Sequence, residues 1–261
     1  MKKGTQINNN IAISKRYEKA LLMLVDEMQK STEKELTILI CRRSAKTYFS
    51  IVNDTKKKQS ISTKAKLALA ALLLKFQLMF KRKSKTLTQA WLEDVEKYAS
   101  NAVRISLKSL TDTTFNTSMI SAIGKTKAQA IITENISLIK SIPEQYFTQI
   151  VGEVMRAIVT GSTVDLVEAI EKHGKVSEKR AKMIAKDQTH KAIQAIAMQK
   201  LLDEGFKKFR WIYTYRSKEP RIYHVHRNNK VFEFKNPPTG ELPGQPINCK
   251  CLIAPVNDWE K

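Results

Sequence analysis

Four side chains that can ligate a metal or act as nucleophiles fall in the last forty or so residues: His224, His226, Cys249 and Cys251. Zinc sites are built from thiolates and imidazoles of this kind, and a cysteine beside a histidine is the minimum for a thiol nucleophile. The spacing limits both. Side chains two apart on a strand point to opposite faces, so neither His224 with His226 nor Cys249 with Cys251 brings two ligands to one point without a bend. One histidine meeting one cysteine across a sheet is easier to build, and it supplies two ligands. Two readings stand. In one, the cysteines are small buried residues and the histidines pack or hydrogen-bond; in the other, His224, Cys249 and Cys251 hold a structural metal, with zinc the ion these donors suit. A Cys249–Cys251 disulfide is disfavoured because the Cβ atoms diverge on a strand.

Catalysis finds less support. No third residue orients a Cys/His pair, and His190 lies beside Lys186, Asp187 and Lys191 on what reads as a solvated helix face. The phosphate-cradling glycine loops, the H-E-x-x-H zinc helix and the G-x-S-x-G elbow are absent, as are paired acidic residues for two-metal nuclease chemistry. The expectation is no enzyme activity, with a Cys/His hydrolase or nuclease as the least favoured alternative. With Cys41, the cysteines number three. That is too few for a disulfide framework, and a reducing compartment is the default.

The elements that must position this cluster follow from glycine and proline. Residues 1–142 contain only Gly4 and Gly124 and no proline, whereas residues 205–261 contain three glycines and six prolines. Long helices followed by strands and turns are expected, an α+β chain whose small C-terminal antiparallel β module carries Pro/Gly-rich loops. Ile13, Tyr17, Ala20, Leu21, Leu24, Val25 and Met28 keep the helical spacing. Further helices are expected near 32–52, 62–83, 87–110 and 115–140. Ser141-x-x-Glu144 reads as a capping box with Pro143 in the first turn. Ser162 starts another helix that ends near Gly174, and Ser177 caps a last one closed by Gly205. From Phe209 to Tyr215 the period becomes two, and further strands are expected at 222–225, 230–234 and 251–256, with a turn at Asn228-Asn229. The layout divides into a basic helical region (1–140), a second helical part (141–205) and the β module (206–261).

Charge sets the class of partner. With 46 Lys+Arg against 25 Asp+Glu the net charge is +21, and residues 1–100 hold +12 of it (21 basic, 9 acidic). An acidic partner is expected, double-stranded DNA first, held without sequence preference. The candidate contacts are Lys56, Lys57 and Lys58 in a helix–helix loop, and Lys81, Arg82, Lys83 and Lys85. The apolar run Leu67–Phe80 is interrupted by Lys75 and is 14 residues long, against about 20 for a bilayer span. It reads as a buried helix with basic ends. The first twenty residues lack the apolar core of a secretory signal.

The C-terminal half resembles the phage head morphogenesis, or minor head, family typified by phage Mu protein F. The residues that carry the resemblance are Arg180-Ala181-x-x-Ile184-Ala185-x-Asp187-Gln188-Thr189, Gly205-Phe206, Trp211, Arg221-x-x-His224, Asn229-Lys230-x-Phe232 and Pro243-Gly244-x-x-x-Asn248-Cys249-Lys250-Cys251. Arg221, His224, Cys249 and Cys251 match recurring positions. Lys250 stands where arginine is usual, and Glu219-Pro220 where an aspartate commonly precedes the arginine. The resemblance implies a low-copy virion protein of the phage head interior, present in host cytoplasm during assembly, that associates with the portal protein and capsid components and helps DNA packaging. Some relatives carry a toxin domain after the Cys-x-Cys; with ten residues beyond it, none is expected here. The alternative is a freestanding basic DNA-binding protein of a mobile element.

Overall fold

The computed structural model describes residues 4–47, 61–115, 122–160, 162–215 and 219–257. Four long helices come first: α1 (Ile11–Thr47), α2 (Ile61–Thr111), α3 (Ala122–Thr160) and α4 (Thr163–Asp203). They are followed by β1 (Lys208–Ile212), a five-residue helix α5 (Ile222–His226), β2 (Val231–Glu233), a 3-10 turn at Pro238–Gly240 and β3 (Leu252–Pro255). The fold class is α+β, as the glycine and proline distribution indicates.

The helices are fewer and longer than the capping signals suggest, and the hydroxyl residues supply the reason. Thr32 donates to the Met28 carbonyl at 2.8 Å, Ser84 to Lys81 at 3.1 Å, Ser141 to Leu138 at 2.7 Å and Ser177 to His173 at 3.1 Å. Each bonds back into its own helix, so a residue type that favours caps is absorbed in a helix interior. Pro143 also lies inside α3, which runs on past it. Gly174 does not stop α4: a Cβ there would fall 1.4 Å from the Gln29 amide nitrogen, so the glycine makes room for a side chain of α1. Two signals do work as read. Ser162 caps α4 through the Asp165 amide at 3.0 Å. Gly205, at φ +88°, closes it, with Phe206 N–H bonding Leu201 and Gly205 N–H bonding Leu202 in a Schellman arrangement.

The chain packs as two compact units. One joins Glu18–Thr86 to Ile136–Ile184 and is helical at all its described residues but the cap Ser162. Its core is apolar side chains at three- and four-residue intervals, for example Leu69, Leu72, Phe76 and Phe80 on α2 and Ile139, Ile142, Tyr146, Ile150 and Val154 on α3. The apolar run Leu67–Phe80 is therefore only half buried, for Leu67, Leu74 and Leu78 are 55–59% exposed. No described helix is long and apolar enough to cross a membrane.

The other unit combines Met1–Tyr17, Leu87–Asn135 and Ala185–Lys261. Its sheet has the order β2-β1-β3, antiparallel throughout, with Phe209 opposite Phe232 and Trp211 opposite Ile253. Phe209 and Trp211 are fully buried on one face. The segment at 222–225, expected as a strand, is the helix α5. Its turn closes through His224 and Val225 amides on the Arg221 carbonyl, and burial falls on His224 while Ile222 and Tyr223 are exposed, the reverse of what an apolar-in strand requires.

Candidate metal centre and basic face

His224, Cys249 and Cys251 come together more tightly than strand geometry allows. His224 Nδ1 lies 3.8 Å from Cys249 Sγ and 3.5 Å from Cys251 Sγ, and the three ligand atoms all lie within 4.8 Å of one another. All three residues are buried. The bend that the alternation argument demanded is present, because Cys249 and Cys251 precede β3 in a turn. Cys249 N–H donates to Pro246 O, Asn248 is left-handed at φ 58°, and Cys251 N–H donates to the Cys249 sulfur at 3.4 Å. The two sulfurs can therefore face one point. His226 is excluded from the cluster: two helical residues apart is about 200° of rotation, and it is exposed.

Electrostatics divide the two thiols. The neighbouring Cys251 thiol, helped by the Cys251 and Gly244 amides, pulls Cys249 down to about 6 against the opposing effect of burial. Cys251, beside Cys249 and itself buried, is pushed well above the ordinary thiol range. His224 Nε2 faces Glu241 Oε2 at 3.5 Å. Because a carboxylate accepts, Nε2 carries the hydrogen, and the Nδ1 lone pair is turned to the sulfurs.

Around the cluster stands a shell of buried polar groups. Arg227, 6% exposed, places its guanidinium 4.9 Å from the Trp211 ring and 4.8 Å from the Tyr223 ring, and donates to Glu241 at 3.3 Å and Thr239 at 2.6 Å. Arg221 donates to the Ile247 carbonyl at 2.9 Å, and its charge favours the Cys251 thiolate. Lys250, at the position where arginine was expected, has its pKa lowered chiefly by burial.

The α4 helix holds the cysteine turn from outside. Asp187 accepts the Asn248 amide, His190 Nε2–H donates to the Cys251 carbonyl at 2.9 Å, and Gln194 accepts the Ile253 amide at 2.9 Å while donating to Ile7 O at 2.8 Å. Burial raises the Asp187 pKa and lowers that of His190 to about 4, so His190 is a neutral imidazole. It is not on a solvated face: it is 4% exposed. Asp187, His190 and Gln194 follow the i, i+3, i+7 spacing of one helix face, which was a readable signal. Gln188 and Thr189 of the same motif serve helix packing. Gln188 accepts from Asn135 at 3.0 Å, and Thr189 accepts the Trp91 indole N–H at 2.9 Å.

The second candidate site lies in the helical unit. Lys81, Arg82, Lys83 and Lys85 are all exposed on α2. Lys83 pairs with Glu27 at 3.4 Å, and Lys75 donates to Ser31 at 2.8 Å. Lys81, Arg82 and Lys85 have no ion-pair partner among the described residues, and they line a groove of about 910 Å³ with Lys75 and Leu78. Lys56, Lys57 and Lys58 lie outside the described residues.

Comparison with known proteins bears on the segment that carries the cluster. Residues 148–254 match the family described as Phage Mu protein F like protein. A protein of Haemophilus influenzae strain Rd, described as an uncharacterized protein, is 38% identical over 134 residues, which is 51% of this chain and 30% of that protein. The chain thus spans about a third of its relative's length. No solved structure matches. From the middle of α3 to β3, through the α4 face and the cysteine turn it holds, the chain is similar to the phage Mu protein F-like family.

Proposed function

We propose that this chain is a minor head protein of a tailed phage or prophage, associating with the portal vertex and contacting packaged DNA without sequence preference. The observation that carries the reading is the Mu F-like match over residues 148–254. The net charge of +21 and the exposed cations of α2 supply the means of meeting DNA. Protein contact has its own candidate surface. Leu67, Leu74 and Leu78, at i, i+7 and i+11, form an exposed apolar stripe on α2, a pattern suited to receiving a helix of the portal or capsid.

The role is structural. The buried cysteine cluster is closed in by Trp211, Arg227 and Glu241 and by the α4 face, an arrangement that fixes a turn rather than one that admits a substrate. Heads purified from the parent phage test the reading: the chain is expected among their proteins by mass spectrometry, in fewer copies than the major capsid subunit, and cross-linked to portal. Recovery with host nucleoid and exclusion from heads would instead identify a freestanding DNA-binding protein.

A further inference from the structure

We propose that His224 Nδ1, Cys249 Sγ and Cys251 Sγ bind one zinc ion, which fastens the short helix α5 to the turn preceding β3. A tetrahedral zinc with bonds of about 2.0 Å to nitrogen and 2.3 Å to sulfur sets N···S edges of about 3.5 Å and S···S edges of about 3.8 Å. The observed N···S separations of 3.5 and 3.8 Å, with all three atoms inside 4.8 Å, are within a small adjustment of that figure.

The surroundings fit the ion independently of the ligands. Metal-bound histidines commonly donate their second ring N–H to a carboxylate, and His224 Nε2 faces Glu241 in that manner. Glu241 is already balanced by Arg227 at 3.3 Å. Two thiolates cancel the charge of Zn²⁺, so the filled site adds no net charge to a buried place. The Trp211 indole N–H is buried without a hydrogen-bond partner, and its ring lies 5.1 Å from that of His224. Binding forms two Zn–S bonds and one Zn–N bond and releases to solvent the protons the two cysteines hold; nothing is oxidised or reduced. No fourth His, Cys, Asp or Glu joins the group among the described residues, so the fourth vertex takes a water.

The whole chain, purified under reducing conditions, loaded with zinc and desalted, should retain about one zinc per molecule by elemental analysis. The cobalt-substituted protein should show the intense thiolate-to-cobalt charge-transfer absorption of a tetrahedral site. Cys249→Ser and Cys251→Ser should lose that band. Because either variant can also fail to fold, Glu241→Gln provides the second arm: it keeps all three ligands and should weaken zinc affinity roughly 10- to 100-fold. His226→Ala, outside the cluster, should retain full stoichiometry. Less than about a tenth of an equivalent of zinc, a cobalt form without the thiolate band, or affinity unchanged in both Cys249→Ser and Glu241→Gln would overturn the site.

Discussion

The two compact units reach order by different physical routes. In the unit formed by Glu18–Thr86 and Ile136–Ile184, apolar side chains repeat at helical spacing, and the polar contacts between helices are largely exposed pairs such as Lys83–Glu27. In the unit that contains the sheet, buried polar groups join one element to another. Tyr17 donates to Asn135 at 3.2 Å and stacks on Trp91 with ring centres 4.8 Å apart, Asn135 donates to Gln188, and Gln194 bridges Ile7 to Ile253. A periodic core tolerates substitution that keeps volume. A buried polar network does not, because removing one member strands its partners. The family match falls across α4 and the β module, where single residues with fixed partners accumulate; the cations proposed to meet DNA lie on α2, where position is loosely specified.

That contrast can be broken by substitution. The largest effect is expected for Trp211→Ala, at about 4 kcal/mol in urea unfolding, the range for truncating a buried aromatic. Phe76→Ala should cost a similar amount, but only the Trp211 change should expose Cys249 and Cys251 to a thiol reagent under native conditions. Equal thiol protection in both variants would contradict the role given to Trp211. Alkaline titration gives the next largest effect. Burial raises the Tyr17 pKa to about 12 from 10.0, so the folded chain holds a proton that the unfolded chain releases. The associated stability is fully present below pH 10 and is lost as pH rises toward 12, by about 3 kcal/mol. Tyr17→Phe should remove this share of the slope; an unchanged slope would show that Tyr17 ionises freely.

Smaller changes sharpen the difference. Gln194→Ala leaves the Ile7 carbonyl and the Ile253 amide without their partner and should cost about 2 kcal/mol, with faster hydrogen exchange at Ile253. Lys83→Gln removes a pair whose side chains are 44% and 51% exposed, and the change should stay within about 0.5 kcal/mol. A cost above 1 kcal/mol there would mean that surface pairing holds the helical unit more firmly than its apolar core suggests.

How much of this was legible in the sequence follows from the same division. Helical periodicity marked the buried positions of α1, and Gly205 and Ser162 closed and opened α4 as their types indicate. The helix starts read at Ser141 and Ser177 were misread because both hydroxyls bond back to their own helix, and a hydroxyl's choice between capping and back-bonding is made by burial. The members of the His/Cys cluster were visible as residue types, and their convergence was not. Strand alternation argued against it, and the left-handed Asn248 that turns the two sulfurs together has no signature beyond an asparagine. His190 was misplaced on a solvated face because its charged neighbours in sequence point elsewhere on the helix, while its own position is covered by the Cys251 backbone.

The salt dependence of DNA binding tests the central claim most directly. For the whole chain on duplexes of unrelated sequence, log K against log salt should fall with a slope steeper than about −3 and with little difference between sequences, since each neutralised phosphate contributes about −0.9. Replacing Lys81, Arg82 and Lys85 together by glutamine should reduce the slope by about 2 to 3 while leaving the fold intact. A shallow slope, no binding at about 50 mM salt, or an unchanged slope in the triple variant would contradict a head protein that meets packaged DNA through α2.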